Sequence, residues 1–419
     1  MEFLLFTLCL VACFILVFKT KTISNSSLQK KELIVLFTIK ILACIALGLV
    51  NTYLYNNATD YDTYNNLGKI ETDNLLHNTT IFFTDIYKPY LDKYGALFFI
   101  DAHFISDLGP NIILKILGFL NLITRENYYC NALFFNSFSF VGCVALYNVF
   151  KHIYNTQKTT LIIGCFLLPS TLFFSSGIHK DLFIFCCLCF FCNALYFSFV
   201  KGFTTKRNLI LYITFVLICM MRLYVGAVLM PLAAIYFICK KYDYSFTKVS
   251  IGFFFIFICS TFIVQKLKPS LSPISVLTKK QNEFIQLGKA KTDYDYVTFN
   301  NSTKNVLLAT PSAVRNAFLS PLPFEFNYLP INIFAAEICI YFLLFILFLF
   351  FKKKTDLPKS MFVQFTLLFA LGMLIVIGYS ITNAGSLIRY RSIYLPFIII
   401  PILCNIDWTQ VKQKLNLQS

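Results

Sequence analysis

The residue types that could do chemistry in this chain gather in a few short stretches. NNATDYDTYNN places Asp60 and Asp62 two positions apart. Carboxylates so spaced can hold a divalent cation against a diphosphate, or one of them can take a proton from an attacking hydroxyl. SSGIHKD sets His179, Lys180 and Asp181 in a turn between two of the most apolar runs of the chain, where Ser, Asn and Gly alone would serve. Arg222 marks another such turn, and TNAGSLIRYRSIYLP carries Arg389 and Arg391 on either side of Tyr390. Guanidinium groups contact phosphate oxygens bidentately and keep their charge, so RYR at an interface is a candidate clamp for a lipid-linked phosphate. Each stretch also has a plainer reading. TDYD recurs at Thr292–Asp295, and a polar Tyr/Asp-rich loop is common. Lys180 can snorkel while Asp181 caps a helix N-terminus, and Tyr and Arg both favour the headgroup zone.

The elements that position these residues must be membrane helices. With 58% hydrophobic and 13% charged residues and 49 Phe, the chain has too few charges to coat a water-soluble globule of 419 residues. About 20 apolar residues cross a bilayer, and helices satisfy their own backbone there. Spans are expected near 2–18, 32–51, 128–149, 159–176, 182–200, 207–222, 224–239, 248–265, 331–351, 360–380 and 390–404, about eleven in all. Lys19, Lys21, Lys30 and Lys31, then Lys201, Lys206 and Arg207, then Lys240 and Lys241, then Lys352, Lys353 and Lys354 fall on one side if the N-terminus is outside and the C-terminus cytoplasmic. The formal net charge of +16 therefore reads mostly as topology, and no solvated basic face suggests nucleic acid as a partner. LVAC at Leu10 to Cys13 resembles a lipoprotein processing site, but Glu2 precedes the apolar run and the lysines follow it, so an uncleaved anchor in an inner (plasma) membrane is expected. Most cysteines lie inside apolar runs, where a thiol acts as a small hydrophobe.

The expected organisation is a membrane module over 1–265 with a first outer loop at 52–127, a second outer loop at 266–330, a three-helix module over 331–404 and a cytoplasmic tail at 405–419. In the first loop, YGALFFIDAHFISDLGPNIILKILGFLNLI is apolar but interrupted by Asp101, His103, Asp107, Gly109 and Pro110. Broken amphipathic stretches of this kind suit helices in the interface plane better than a spanning pair. In the second loop, Pro311, Pro321, Pro323 and Pro330 accompany Arg315 and Glu325; the segment reads either as a flap over the outer face or as a plain lead-in to the next span. Read by outward ends, Asp60, Asp62, His179, Lys180, Asp181, Arg222, Arg389 and Arg391 collect on one face. Ionisable groups at membrane depth are expensive and tend to be paired or functional. Lys40 and Glu337 lie inside spans and need partners, each other or other buried polar groups.

This arrangement resembles the GT-C superfamily of polyprenyl-phosphate-dependent glycosyltransferases. The resemblance rests on DYDTY, FLLPSTLFFSSGIHKD, PSAVRNAFLSPLPFE and NAGSLIRYRSIYLP, which are similar to motifs of a bacterial group of multi-spanning proteins. One N-terminal span is extra to the common plan. The resemblance implies an all-α, GT-C-like fold, with Asp60 or Asp62 as the first-loop catalytic acid and Asp181 as the second-loop acid. His179, Lys180, Arg222, Arg315, Glu325, Arg389 and Arg391 would bind the substrate. It further implies inverting sugar transfer from a lipid-linked donor to a glycan or lipid acceptor on the outer face. A divalent cation, held by Asp60 and Asp62 if one is used, is optional. A polysaccharide repeat-unit polymerase would share these features, and a lipid or glycan flippase would need midplane helix breaks in related halves.

The charge pattern fixes a test of orientation. A reporter fused after Lys241 or Lys354 is expected to read cytoplasm, and one inserted near Asn301 the outer side; the opposite pattern would overturn the outward placement of every residue named above.

Overall fold

A computed structural model describes residues 2–56, 59–87, 104–155, 157–286, 291–353 and 360–414. Its described residues are all helix and connecting turns, with no strand. They form two compact units, Met1–Gly226 and Ala227–Ser419, dividing earlier in the chain than the loop-based boundary at 265. The helices are α1 Glu2–Phe18, α2 Lys21–Ser24, α3 Lys30–Tyr55, α4 Asp60–His77, α5 Thr79–Thr84, α6 Phe104–Thr124, α7 Tyr128–Ile153, α8 Lys158–Phe166, α9 Pro169–Phe174, α10 Lys180–Lys201, α11 Thr205–Met221 and α12 Leu223–Tyr242, within which the division falls. There follow α13 Phe246–Leu267, α14 Pro273–Gln286, α15 Thr303–Phe318, α16 Leu329–Phe350, α17 Met361–Ser380, α18 Ala384–Ser392, α19 Leu395–Asn405 and α20 Trp408–Lys414.

Several described helices are long and apolar enough to cross a membrane, and the protein is in this sense an all-α polytopic membrane protein. They are eight: α3, α6 from Asp107, α7, α10, α12, α13, α16 and α17. The pair α18 and α19, bent by 63°, makes a ninth if it is one broken span. The expected count of about eleven differs for local reasons. The stretch 159–176 is not one helix: it breaks at Leu167–Leu168, and Pro169 opens the second piece, because proline has no amide to continue the ladder and pushes the residue before it to an extended backbone. α1 and α11 stop at 17 residues each, and α11 carries Lys206 and Arg207 in its first turn. Conversely, the apolar stretch of the first loop is a single helix from Phe104, carrying Pro110 inside it; Asp101 and His103 lie outside the described residues.

In the first unit α7 is the centre, buried on every side rather than along one stripe. Small and polar residues let its neighbours approach, as in membrane bundles generally. A Cβ on Gly142 would lie 2.7 Å from the Cys186 sulfur of α10, and Asn193 of α10 donates to the Ala145 carbonyl at 2.8 Å. α4 and α6 pack with their polar faces inward. Asn121 donates to Thr72 Oγ1 at 2.9 Å, and Asn131 of α7 donates to Asn121 Oδ1 at 2.7 Å and to Asn65 Oδ1 at 3.1 Å. Lys115 meets Asp85 at 2.5 Å and also Glu71. Gly68 allows this approach, since a Cβ there would stand 2.8 Å from that of Leu117.

In the second unit α17 has the central place. Tyr236 packs its ring edge-to-face on Phe362 and tilted against Phe365, and α15 lays Ala309, Ala313 and Ala317 toward the end of α17, where a Cβ on Gly378 would collide with the Ala313 carbonyl. α13 is 6% buried over its apolar window and α16 17%, as expected of helices that face lipid.

The two glycines carry an expectation. Gly68→Val and Gly378→Val should each destabilise the protein by about 1–3 kcal/mol through overpacking, read as a lower melting temperature in detergent, whereas Gly252→Ala, with nothing within 4 Å, should not move it beyond a helix-propensity effect.

Candidate functional site

The SSGIHKD turn is built by partners from three helices. Lys40, buried in α3, donates to the Ser175 carbonyl at 2.9 Å and to Ser175 Oγ at 2.5 Å, and the Lys40 carbonyl accepts from Asn136 of α7 at 2.9 Å. Gly177 passes so close to Leu47 and Tyr61 that a Cβ would lie within 2.7 Å of both. The turn is thereby delivered to the N-terminus of α10, where His179 has an extended backbone and is the N-cap. Its Nδ1 accepts the Asp181 amide at 3.1 Å. Asp181 is thus not the cap that its position suggested; the imidazole takes that role and leaves the carboxylate for other work.

That carboxylate is one link of a chain. Asp181 Oδ2 stands 2.9 Å from His179 Nδ1, and its Oδ1 contacts the Arg222 guanidinium. At the other end His179 Nε2 lies 3.3 Å from Asp60 Oδ2. His179 and Asp181 side chains are 1% and 2% exposed, whereas that of Asp60 is 39% exposed. The rings of Tyr61 and Tyr64 flank His179, with centroids 5.4 and 5.6 Å away, and Arg222 also donates to Tyr224 Oη at 3.1 Å. With Nδ1 accepting the amide, a neutral imidazole carries its proton on Nε2 and donates it to Asp60. An imidazolium would instead donate to both carboxylates.

Asp62 has a different place. Its carboxylate accepts from Asn51 and from Thr59 Oγ1 at 3.1 Å, closing a capping box at the start of α4. The T-x-x-D spacing carries that signal in sequence. Asp60 and Asp62 therefore take separate partners, and no group of three or more His, Cys, Asp or Glu side chains in metal-holding geometry occurs among the described residues. Lys180 is half-buried in the first turn of α10.

The remaining expected residues belong to the second unit. Arg391 is buried and donates to the Ser320 carbonyl at 2.6 Å, with Glu337, Tyr294 and Tyr341 as its charged or titratable neighbours. Tyr341 donates to Glu337. Arg389 lies over the Tyr390 ring at 5.3 Å. Arg315 and Glu325 pair with each other, and Glu325 accepts the Leu322 amide at 2.8 Å, closing the turn after α15. The second TDYD is pinned to the turn before α18: the Tyr294 amide donates to the Thr382 carbonyl at 2.8 Å and the Ala384 amide to the Thr292 carbonyl at 2.9 Å. Burial, and after it the Glu325 charge, hold the Tyr294 hydroxyl above its ordinary range. Lys40 and Glu337 each find partners within their own unit. The Glu71, Asp85 and Lys115 group was not anticipated, although Tyr61, Asn65, Gly68 and Thr72 recur at helical spacing in what reads as a loop.

No family model matches the chain, and neither characterised proteins nor solved structures include a match.

The pairing of Asp181 with Arg222 has a measurable consequence. Arg222→Met leaves a buried carboxylate without its cation and should cost about 3–5 kcal/mol, seen as a large fall in melting temperature. Adding Asp181→Asn to it should recover most of the loss.

Proposed function

We propose that the chain is a membrane glycosyltransferase that moves a sugar from a polyprenyl-phosphate-linked donor to a hydroxyl acceptor, with Asp60 as the general base. The supporting observation is that Asp60 is the accessible end of a buried series, Asp60, His179, Asp181 and Arg222. Such an arrangement orients one carboxylate and leaves it open to a substrate, which is what a base needs before its pKa matters.

In this reading the acceptor oxygen attacks the anomeric carbon as the bond from that carbon to the donor phosphate breaks. The hydroxyl proton passes to Asp60, and the electron pair of the broken bond leaves on the polyprenyl phosphate. His179 holds Asp60 through Nε2–H. Asp181 and Arg222 act through His179: the Asp181 amide, bound to Nδ1, orients the ring, and the guanidinium balances the Asp181 carboxylate. Lys180, in the first turn of α10, is the proposed partner of the departing phosphate, helped by the helix N-terminus. A bacterial cell-envelope setting, outer-face chemistry and the GT-C relationship belong to the same proposal and rest on the motifs and the charge pattern.

Purified protein supplied with polyprenyl-phosphate sugars and an acceptor should release polyprenyl phosphate, and Asp60→Asn should lower that rate by about 10²–10⁴-fold. Full activity in Asp60→Asn would sink the base assignment. Release of a lipid diphosphate would point to a repeat-unit polymerase, and movement of intact lipid-linked sugar across vesicles without cleavage would point to a flippase.

A further inference from the structure

α15 is amphipathic in a way that a water-facing loop helix is not. Its small residues Ala309, Ala313 and Ala317, spaced by one helical turn, are buried. Its opposite side shows Leu307 at 59% and Leu308 at 60% exposure, with Pro311, Val314 and Phe318 also exposed. The same surface continues into the turn beyond, through Leu319 and Leu322 to Phe324, which is 89% exposed. Polar residues are expected on a side that meets water, and an exposed apolar stripe of this length marks a surface with a partner.

The height of the helix identifies that partner. α17 has 20 residues, about 30 Å at 1.5 Å per residue, close to the thickness of a hydrocarbon core. α15 packs where Gly378 meets Ala313 and Ala317, two positions before the last residue of α17, or about 3 Å along its axis. Thr310 and Tyr379 join their hydroxyls at the same level, 2.7 Å apart. The helix is therefore held at the edge of the hydrocarbon, with its apolar side turned away from the unit. Lys304, exposed at the start of the helix, has the long stem and charged head that reach the headgroup layer from such a position. α13 and α16 of the same unit are already mostly uncovered apolar helices, so the stripe continues a lipid-facing surface.

We propose that α15 and the turn through Phe324 form a membrane-surface anchor, with Leu307, Leu308, Val314, Phe318 and Phe324 inserted among the upper acyl chains of the bilayer. The partner is the lipid surface itself, and the segment is a float at the interface rather than a flap in water. The idea is independent of the catalytic reading, since it rests on packing and exposure alone.

The chain has one tryptophan, Trp408 of α20, which makes a fluorescence test direct. In a Trp408→Phe background, Leu308→Trp and Phe318→Trp place a single indole on the stripe, and Thr298→Trp places one on an exposed loop position. In phosphatidylcholine vesicles, indoles at 308 and 318 should emit to the blue and lose intensity when the acyl chains are brominated, while aqueous iodide affects them weakly. The indole at 298 should show the reverse. Water-like emission at 308 and 318 with strong iodide quenching would overturn the anchor. Quenching by neither agent would also overturn it, because the stripe would then be covered by protein.

Discussion

A charge carried below the water surface must meet its partner there, and the contact between Asp181 and Arg222 meets that constraint at the candidate site. Both side chains are almost fully buried, at a cost that only close pairing and further hydrogen bonds offset. Arg222 gives the buried Asp181 carboxylate a counter-charge beside the His179 ring. Because the His179 ring caps α10, its orientation is set by backbone as well as by side chains. Asp60 inherits that orientation through Nε2, although it sits on a different helix and stays accessible.

The second unit satisfies the same constraint by other means. Arg391 is met by a backbone carbonyl, with Glu337 and two tyrosines as neighbours, and Glu337 is met by the Tyr341 hydroxyl. Arg315 and Glu325, nearer the surface, join each other across a turn; exposed pairs of this kind contribute little stability but fix the path of the chain. RYR therefore reads in the structure as one arginine embedded in its own unit and one lying over its neighbouring tyrosine, a division of labour that two identical residue types cannot announce in sequence.

Membrane character was legible because hydropathy needs only composition along a window. The helices α3, α7, α10, α12, α13, α16 and α17 stand close to their expected places. The break at Leu167–Leu168 was marked by Pro169, but an apolar run of span length outweighed it. The first loop was harder. α4 is polar by composition, and its Asn, Thr and Glu face inward onto α6, so a reading that equates polar with exposed assigns it to solvent. At the site, the residue types in DYD and HKD named side chains that the structure brings into contact, Asp60 with His179, while the choice of His179 as cap and of Asp62 as capping-box acid depends on where a chain reversal places two atoms. Lys40 required a partner, yet nothing within a helical turn of it could say which.

That last contact bears on how the protein is made. Lys40 enters the membrane with the first long span, but the serine that accepts its hydrogen bonds is 135 residues further along the chain. At about 5–20 residues per second, synthesis reaches Ser175 roughly 7–27 seconds later. For that interval the nascent span must shelter a lysine by stretching its stem toward a headgroup or by lingering against the insertion machinery. Completion of the first unit accordingly waits on a late turn, whose carbonyl and hydroxyl give Lys40 its hydrogen bonds.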